Sequence, residues 1–418
     1  MGEENDRARV LGALRFVWNW DSERIGAASA DEHGPGALTA AEVAALSADP
    51  IPPPLGEGDH PKDGGGGVAA APASPKGPLS RFATAPPEGE QLHPERPAAV
   101  AGDYPDWLDA SLARVFGDDR SAEGAALAER APVDLRVNAL KTDAARGLKA
   151  VEALGGRPAG AMALALRFPA PSATDRAPPI EAAPEFAKGW FEVQDLGSQI
   201  AAAAAGEVKG RQVLDFCAGG GGKTLALAAM MANTGQLYAY DADARRLTET
   251  VTRAQRAGVR NLQVRSPLRA REPLAVLEGL DGRMDLVFVD APCTGSGTWR
   301  RHPDAKWRLG PAQLARRMEE QSAVLAAAAG FVKPGGRMVY VTCSLLMEEN
   351  EDRLAAFLGA HADFAQANAL AAIEASGQLA PGAAEALAGL VTPEGALRLT
   401  PRSAGTDGFF VAVLQRRP

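Results

Sequence analysis

Apolar and polar positions follow several different patterns along the chain. Near the start, apolar residues spaced three or four apart predict a helix over residues 6–20, and Thr39 to Glu42 form a capping-box pattern before a second short helix. From residue 50 to about residue 100 the chain turns to Pro and Gly, with too few large apolar residues for a core. We therefore expect a helical segment over residues 1–49 and a flexible linker over residues 50–100.

The remaining chain predicts two regions that mix helices and strands. Residues 101–188 contain a helix from about Pro105, the strand "VDLRVNAL" and the glycine-closed helix "DAARGLKAVEALGG", which suggests a small α/β domain. Over residues 189–418, short apolar runs alternate with helical runs, which is typical of a doubly wound parallel sheet. The predicted strands are 213–216, 237–240, 262–265, 286–290 and 338–342, with "GFFVAVLQR" as the closing strand.

Composition and charge are typical of an ordinary soluble globular protein. The 418 residues are 46% hydrophobic and 23% charged, and the net charge of −8 disfavours nucleic-acid binding through overall charge alone. The three cysteines are too few and scattered for a disulfide framework or a zinc pair, which favours a reducing cytoplasm and no metal. The charged first residues and the interrupted alanine runs predict neither secretion nor membrane insertion.

The stretch "VLDFCAGGGGKT" is the most distinctive local motif. A phosphate-binding P-loop needs glycine five positions before the Gly-Lys pair, and this chain has Cys217 there. The motif instead predicts a strand that ends in a glycine turn, which lets the backbone approach a ligand before a helix begins. A nucleotide-like ligand is therefore expected at this turn.

Polar residues collect where the predicted strands end, and ligands bind at this edge of an open parallel sheet. Asp241 follows the second strand and is placed to accept ribose hydroxyls. Cys293, in "DAPCTGSG", and Cys343, in "VTCS", follow the fourth and fifth strands. A single aspartate could cap a helix and a single cysteine could pack in a core, but two cysteines on one edge favour a catalytic pair.

These motifs resemble the RsmB/Sun-type RNA cytosine-5 methyltransferases, which use S-adenosylmethionine. "DFCAGGGGKT" is similar to their cofactor loop, "VDAPCTGSGTWRRHPDAKW" to their Pro-Cys motif and "VYVTCSLLMEENE" to their Thr-Cys motif, while "LRVNALK", "VQDLGSQ" and "DGFFVA" match flanking elements. The resemblance covers about residues 103–416. It implies a Rossmann-like class I methyltransferase domain over residues 189–418, preceded by a small α/β RNA-binding domain over residues 101–188.

The resemblance also implies roles for individual residues. Cys343 would be the nucleophile that adds to carbon 6 of cytosine, Cys293 would assist release, Asp290 would contact the ring edge and Lys223 would lie near the reacting centre. Because carbon 5 is a poor nucleophile, covalent addition at carbon 6 is what allows it to accept a methyl group. The cofactor residues implied are Cys217, Ala218, Gly219, Gly220, Gly221, Gly222, Lys223, Asp241, Arg246, Ser266 and Asp290.

Two further expectations concern the adenine and the RNA. The family usually has Asp after the third strand, where this chain has Ser266, so a weaker adenine contact is expected. The basic loop after Cys293, with Trp299 inside it, suits phosphate contacts and base stacking. Its implied RNA-binding residues are Arg300, Arg301, His302, Lys306 and Trp307. The expected partner is ribosomal RNA, small subunit first and transfer RNA next, with no membrane, and the protein is expected to act as a monomer.

Two other functions compete with this interpretation. A DNA cytosine-5 methyltransferase would attack with Cys293, but it would not need Cys343 and would carry a long target-recognition insertion that the sequence lacks. A non-catalytic RNA-binding or ribosome-assembly factor could keep the fold, since fold does not determine function. The presence of Lys223, Asp290, Cys293 and Cys343 together favours an enzyme.

Overall fold

The computed structural model describes residue 11 and residues 21–30, 37–47, 97–171 and 179–418. In the N-terminal unit, helices α1 (Ser22–Ala30) and α2 (Ala40–Ser47) share a small core of Leu11, Ile25 and Leu46. The predicted capping box is confirmed, because Thr39 N donates to Glu42 Oε2 at 2.7 Å and Glu42 N donates to Thr39 Oγ1 at 3.2 Å. Except for residue 11, the predicted helix over 6–20 lies outside the described residues, as does most of the predicted linker.

A four-stranded antiparallel sheet occupies the region after residue 97. Its order is β2-β3-β1-β4, with β1 Val133–Val137, β2 Arg157–Pro158, β3 Ala165–Phe168 and β4 Phe191–Val193. Strand β1 and the predicted helix after it are present, whereas the short strands β2 and β3 were not predicted. Because β4 pairs with β1, this sheet continues past residue 188. The helices of this region are α3 Ala98–Ala101, α4 Asp109–Phe116, α5 Arg120–Ala128, α6 Ala144–Glu152 and α7 Pro184–Ala187.

The larger sheet has eight strands and follows the order β10-β12-β9-β8-β5-β6-β7, with β11 paired to β12. Neighbours from β7 through β9 are parallel, as predicted, and every predicted strand is present. One edge departs from the parallel arrangement, since the closing strand β12 runs antiparallel to β9, β10 and β11. The strands are β5 Gln212–Asp215, β6 Gln236–Ala239, β7 Leu262–Val264, β8 Met284–Asp290, β9 Val332–Thr342, β10 Phe364–Ala367, β11 Leu397–Leu399 and β12 Phe409–Arg416.

Helices cover both faces of this sheet. Alternate residues of β5 point to opposite cores. Val213 packs with residues of the helices Leu196–Ala203 and Gly222–Met230, and Leu214 packs with residues of the helices Pro311–Ala329 and Glu351–Ala360. The run Ala201–Ala205 is entirely buried, so these alanines serve close helix-to-sheet packing. The helices are α8 Leu196–Ala203, α9 Gly222–Met230, α10 Leu247–Ala257, α11 Ala305–Arg308, α12 Pro311–Ala329, α13 Glu351–Ala360, α14 Ala369–Ala375, α15 Ala383–Ala388 and α16 Pro401–Ala404.

No helix among the residues that the structure describes combines the length and the apolar character needed to cross a bilayer.

Candidate active site

The two cysteines of the predicted catalytic pair meet at the carboxyl edge of the large sheet. Strands β8 and β9 are parallel neighbours, with Asp290 opposite Val341, so the loops that follow them leave the sheet side by side. Cys293 Sγ and Cys343 Sγ consequently lie 3.3 Å apart, within hydrogen-bond distance for sulfur. The two thiols are therefore close enough to act on the same small group of atoms in a bound ligand.

Backbone contacts fix the relative position of these two loops. Gly297 N donates to the carbonyl oxygen of Cys343 at 2.9 Å, and Gly408 N donates to the carbonyl oxygen of Gly297 at 2.7 Å. A Cβ atom at Gly297 would lie 2.3 Å from Gly408 O. Only glycine allows this approach, which ties the Cys293 loop to the Cys343 loop and to the start of β12.

Lys223 and Asp290 form a charged pair beside the thiols. Lys223 Nζ donates to Asp290 Oδ2 at 2.7 Å, and the Lys223 side chain is only 10% exposed and lies 5.2 Å from the centre of the Phe409 ring. Burial lowers the pKa of Lys223, but the charge of Asp290 and its hydrogen bond to Lys223 outweigh burial and raise it. Lys223 therefore stays cationic and supplies a positive charge to this edge of the sheet.

The thiol pair is electrostatically asymmetric. The hydrogen bond to Cys343, burial and the nearby charge of Glu349 all raise the pKa of Cys293 well above its usual value. A thiol with a raised pKa keeps its proton and can donate it to a neighbouring sulfur. The raised pKa therefore favours the protonated form of Cys293.

The glycine loop leaves β5 in a conformation that requires glycine at two positions. Gly219 and Gly221 have φ angles of +53° and +86°, and a Cβ at Gly221 would lie 2.8 Å from Thr250 Oγ1. Helix α10 holds the loop from the other side, since Thr250 Oγ1 donates to Gly219 O at 3.0 Å and Arg253 Nη1 donates to Gly220 O at 2.6 Å. A Cβ at Gly222 would meet no atom within 4 Å, which leaves open space beside the loop.

Asp241, predicted for ribose, also supports the glycine loop. Its carboxylate accepts from Gly219 N at 2.8 Å, Asp243 N at 2.9 Å and Arg246 Nη1 at 3.2 Å. A carboxylate has about four acceptor positions, so one remains for a ribose hydroxyl. Ser266 lies beyond the end of β7 and is exposed. The glycine loop and Asp241 thus fit a nucleoside cofactor.

A buried carboxyl, Asp215, and a partly buried thiol, Cys217, lie at the start of this loop. Burial raises the pKa of Asp215 to about 7, and Thr224 Oγ1 donates to its Oδ2 at 2.6 Å. Burial also raises the pKa of Cys217 well above its usual value, with the charges of Asp241 and Asp215 adding to the shift. Cys217 packs against the core beside α12 and α13, so it is a protonated packing residue of the cofactor loop.

The basic loop differs from its prediction. Trp299 is 1% exposed and belongs to a core cluster with Leu345 and Leu346, so the expectation that it stacks on bases is wrong. Arg300 is 5% exposed in its side chain and pairs with Asp407 and Asp195. These contacts favour structural roles in a loop that the sequence presents simply as basic.

The other predicted RNA-binding residues fall into two groups, those held in ion pairs and those exposed to solvent. Arg301 is 31% exposed and pairs with Asp195 and Asp407, and Lys306 is buried in an ion pair with Asp103. His302 and Trp307 are exposed. Each N–H donor serves one strong acceptor at a time. The N–H groups that already bond to Asp195, Asp407 or Asp103 are therefore not available for contacts with phosphate.

Sequence reasoning missed several residues that shape the site. Asp195 and Asp407 pair with the arginines of the basic loop, and Glu349 and Asn350 hold the two cysteine loops. Each lies in a motif that was quoted for the resemblance, namely "VQDLGSQ", the "DGFFVA" segment or "LLMEENE". The available signal was their place in those motifs, but nothing in the sequence identified the partners.

Comparison with known proteins identifies the family. Residues 204–415 match the family described as "16S rRNA methyltransferase RsmB/F". The chain belongs to this family. Membership in the RsmB/F family confirms the predicted Rossmann-like methyltransferase fold, the enzyme class and S-adenosylmethionine as cofactor.

Individual relatives of this RsmB/F chain agree. "Probable ribosomal RNA small subunit methyltransferase B" of Synechocystis sp. is 31% identical over 353 residues, covering 81% of this chain and 73% of the relative. "Ribosomal RNA small subunit methyltransferase B" of Klebsiella pneumoniae is 35% identical over 239 residues, covering 57% of this chain and 50% of the relative. A solved methyltransferase homologue from Pyrococcus horikoshii is 25% identical with a TM-score of 0.59, covering 76% of this chain and 97% of that chain. This chain thus spans about half the length of the Klebsiella relative.

Over the residues that the structure describes, no group of three or more His, Cys, Asp or Glu side chains is placed to hold a metal ion.

The position of Asp241 leads to a prediction about cofactor affinity. Asp241→Ala removes a carboxylate that accepts from Gly219 N and has room for a ribose hydroxyl, so both the loop and the ligand lose a charged hydrogen bond. Such bonds contribute about 1.5–3 kcal/mol each, so we expect S-adenosylmethionine to bind roughly 10- to 100-fold more weakly by calorimetry.

Asp243→Ala is the matched control for that measurement. Asp243 lies two residues further on and pairs with the exposed Arg245. Its removal should leave the affinity unchanged. Equal affinities for Asp241→Ala and wild type would remove Asp241 from the cofactor site.

Proposed function

We propose that this protein methylates carbon 5 of a cytosine in small-subunit ribosomal RNA through a covalent adduct with Cys343. The observation that carries the proposal is the pair of thiols 3.3 Å apart at adjacent strand ends, next to the ion pair of Lys223 and Asp290. One thiol is sufficient for addition to cytosine. A second thiol at contact distance suits a reaction in which addition and release need different groups.

The residues act in sequence in this proposal. The Cys343 thiolate forms a bond to carbon 6 of the ring, and the electron pair of the ring double bond moves so that carbon 5 becomes nucleophilic. S-adenosylmethionine supplies the methyl group that carbon 5 takes up. A base then removes the proton on carbon 5, the double bond forms again, and Cys343 leaves as a thiolate.

The surrounding groups support these steps. Asp290 lies at the end of β8 with its carboxylate held by Lys223, and its side chain is 33% exposed, so it can contact the polar edge of a cytosine. Lys223 offers positive charge where the ring gains electron density. Cys293 lies within reach of the same ring through its contact with Cys343, and we assign it to the release of the product.

The asymmetry of the thiol pair favours Cys343 as the attacking group. The thiolate is the nucleophilic form of cysteine, and the raised pKa of Cys293 holds that thiol in its protonated form. Attack by Cys293 is the pattern expected of a DNA cytosine-5 methyltransferase, and the charge distribution opposes it.

The choice of ribosomal RNA rests on the names of the relatives. Both relatives described above are called ribosomal RNA small subunit methyltransferase B. The small antiparallel sheet and the exposed residues His302, Trp307 and Arg308 are the surfaces we assign to RNA, and we expect the protein to act as a monomer in the cytoplasm. Transfer RNA is the second candidate.

Sequencing of RNA after bisulfite treatment tests the proposal, because 5-methylcytosine resists conversion. Cells that lack the gene should lose methylation at one cytosine of small-subunit ribosomal RNA. Wild-type protein should restore it, and the matched variant Cys343→Ser should not. Loss of a transfer RNA site instead would change the substrate, and no lost site in any RNA would contradict the proposal.

A further inference from the structure

Glu349 is a buried carboxylate that holds the loop of Cys293. It is 0% exposed, and its Oε1 accepts from Thr294 N at 2.8 Å and from Gln321 Nε2 at 2.9 Å. Its Oε2 accepts from Thr294 Oγ1 at 2.5 Å. Gln321 Nε2 also donates to Pro292 O at 2.9 Å, so the residues on both sides of Cys293 connect to Glu349.

Asn350, the next residue, holds the loop of Cys343 in a parallel way. Its Oδ1 accepts from Thr342 Oγ1 at 2.6 Å, and its Nδ2 donates to Ser344 O at 2.9 Å. Asn350 is also 0% exposed. The residues on both sides of Cys343 are therefore fixed by one amide side chain, which supplies both the acceptor and the donor that they need.

We propose that Glu349 and Asn350 are positioning residues that set the distance between the two thiols, and that the charge of Glu349 keeps the shared proton on Cys293. Glu349 and Asn350 are joined by one peptide bond, so the position of the Cys293 loop is linked to the position of the Cys343 loop. This role rests on the proposed function above, in which Cys343 attacks and Cys293 releases. Neither residue touches the reacting atoms.

The charge argument follows from the groups around Cys293. The titratable groups that face this thiol are Cys343, Glu349 and Tyr340, and the Tyr340 hydroxyl donates to Glu349 O at 2.7 Å. The hydrogen bonds that reach the Glu349 carboxylate come from neutral groups, namely a backbone amide, a hydroxyl and a carboxamide. A buried negative charge opposes a second negative charge nearby, so the carboxylate of Glu349 disfavours the thiolate form of Cys293.

Selective alkylation of the free protein tests the charge assignment without RNA. Iodoacetamide labels thiolates, and mass spectrometry gives the ratio of labelled Cys343 to labelled Cys293 near neutral pH. In E349Q the side chain keeps its size and can still bond to Thr294, but the charge is gone. Removal of one buried charge shifts a neighbouring pKa by about one unit, so we expect the ratio to fall about tenfold.

E348Q is the matched control for this change. Glu348 is the adjacent glutamate, but it accepts from Ser111 Oγ at 2.6 Å and lies 3.5 Å from Arg114, away from the cysteine loops. Its labelling ratio should equal that of wild type. An unchanged ratio in folded E349Q, or an equal fall in E348Q, would overturn the charge assignment.

Two further variants separate position from charge. E349D keeps the charge but shortens the reach, so it should keep the wild-type labelling ratio while the rate of methyl transfer falls. N350A should lower that rate at least about tenfold with unchanged S-adenosylmethionine affinity, because the loop of Cys343 loses two hydrogen bonds. Wild-type rates in both variants would overturn the positioning role. Labelling is measured without RNA, so its failure is distinguishable from a failure of the proposed methyl transfer.

Discussion

Replacement of Cys343 by Ala should abolish methyl transfer, whereas replacement of Cys293 by Ala should leave the protein joined to RNA. If Cys343 forms the bond to carbon 6, its loss removes the covalent step and should lower the rate at least about 10³-fold. Cys293→Ala should still attack and transfer the methyl group. Because the thioether to carbon 6 is stable until the proton on carbon 5 is removed, a block at that late step accumulates the adduct.

Denaturing gel electrophoresis with labelled RNA measures this outcome directly. Cys293→Ala should give a slow band that survives denaturant and disappears after RNase treatment. The double variant is the control, and it should lose the band because the trap needs an attacking thiol. A band in Cys343→Ala would reverse the assignment and make Cys293 the nucleophile, as in a DNA cytosine-5 methyltransferase.

The residues at the carboxyl edge of the sheet could be predicted from sequence because each of them directly follows a strand that its own short stretch of sequence identifies. Each strand is a short apolar run, and the residue that follows a parallel strand must lie at one edge. Cys293 and Cys343 are fifty positions apart in the chain, yet the parallel pairing of β8 and β9 starts their loops side by side, and their sulfurs lie 3.3 Å apart. The glycine turn was predicted equally well, since the φ angles of Gly219 and Gly221 need glycine.

Strand direction at the other edge could not be predicted in this way. The apolar pattern of β12 is the same whether the strand runs parallel or antiparallel to β9, because alternation records burial and not direction. Strands β10 and β11 have four and three residues, too few for a period to show.

The basic loop shows a second limit, which concerns charge. A cluster of arginines indicates positive potential only if the partners of those arginines are known. For Arg300 the acidic partners are Asp195 and Asp407, which lie more than a hundred positions away. Burial of Trp299 has the same origin, since the core that covers it includes Tyr104 and Leu345. Only the folded chain brings these residues together.

Arg300, Arg301, Asp195 and Asp407 form a compact cluster of two positive and two negative side chains. Arg300 Nε donates to Asp407 Oδ1 at 2.5 Å and Arg301 Nε donates to Asp407 Oδ2 at 2.5 Å, while Asp195 Oδ2 accepts from Arg301 at 3.0 Å. Asp407 N also donates to Asp195 Oδ2 at 3.2 Å. The cluster therefore fastens the loop after Cys293 to the N-terminus of α8 and to the residue before Gly408.

Asp407→Ala should consequently be among the most destabilising single changes in the protein. The Asp407 side chain is 3% exposed and Arg300 is 5% exposed, so the variant leaves a buried guanidinium without its main counter-charge. Breaking a buried pair in this way costs about 3–5 kcal/mol. Urea unfolding should show a loss of that size in the free energy of unfolding, together with a large fall in the rate of methyl transfer.

Asp304→Ala provides the matched control, since Asp304 pairs with Arg308 where both side chains are exposed, at 64% and 72%. Exposed pairs contribute little because water and salt screen them, so the control should unfold like wild type. If Asp407→Ala also unfolded like wild type, the remaining pair with Asp195 or access to water would be enough to compensate the charge of Arg300. The argument that this cluster holds the Cys293 loop would then fail, and the arginines would again be available for phosphate contacts.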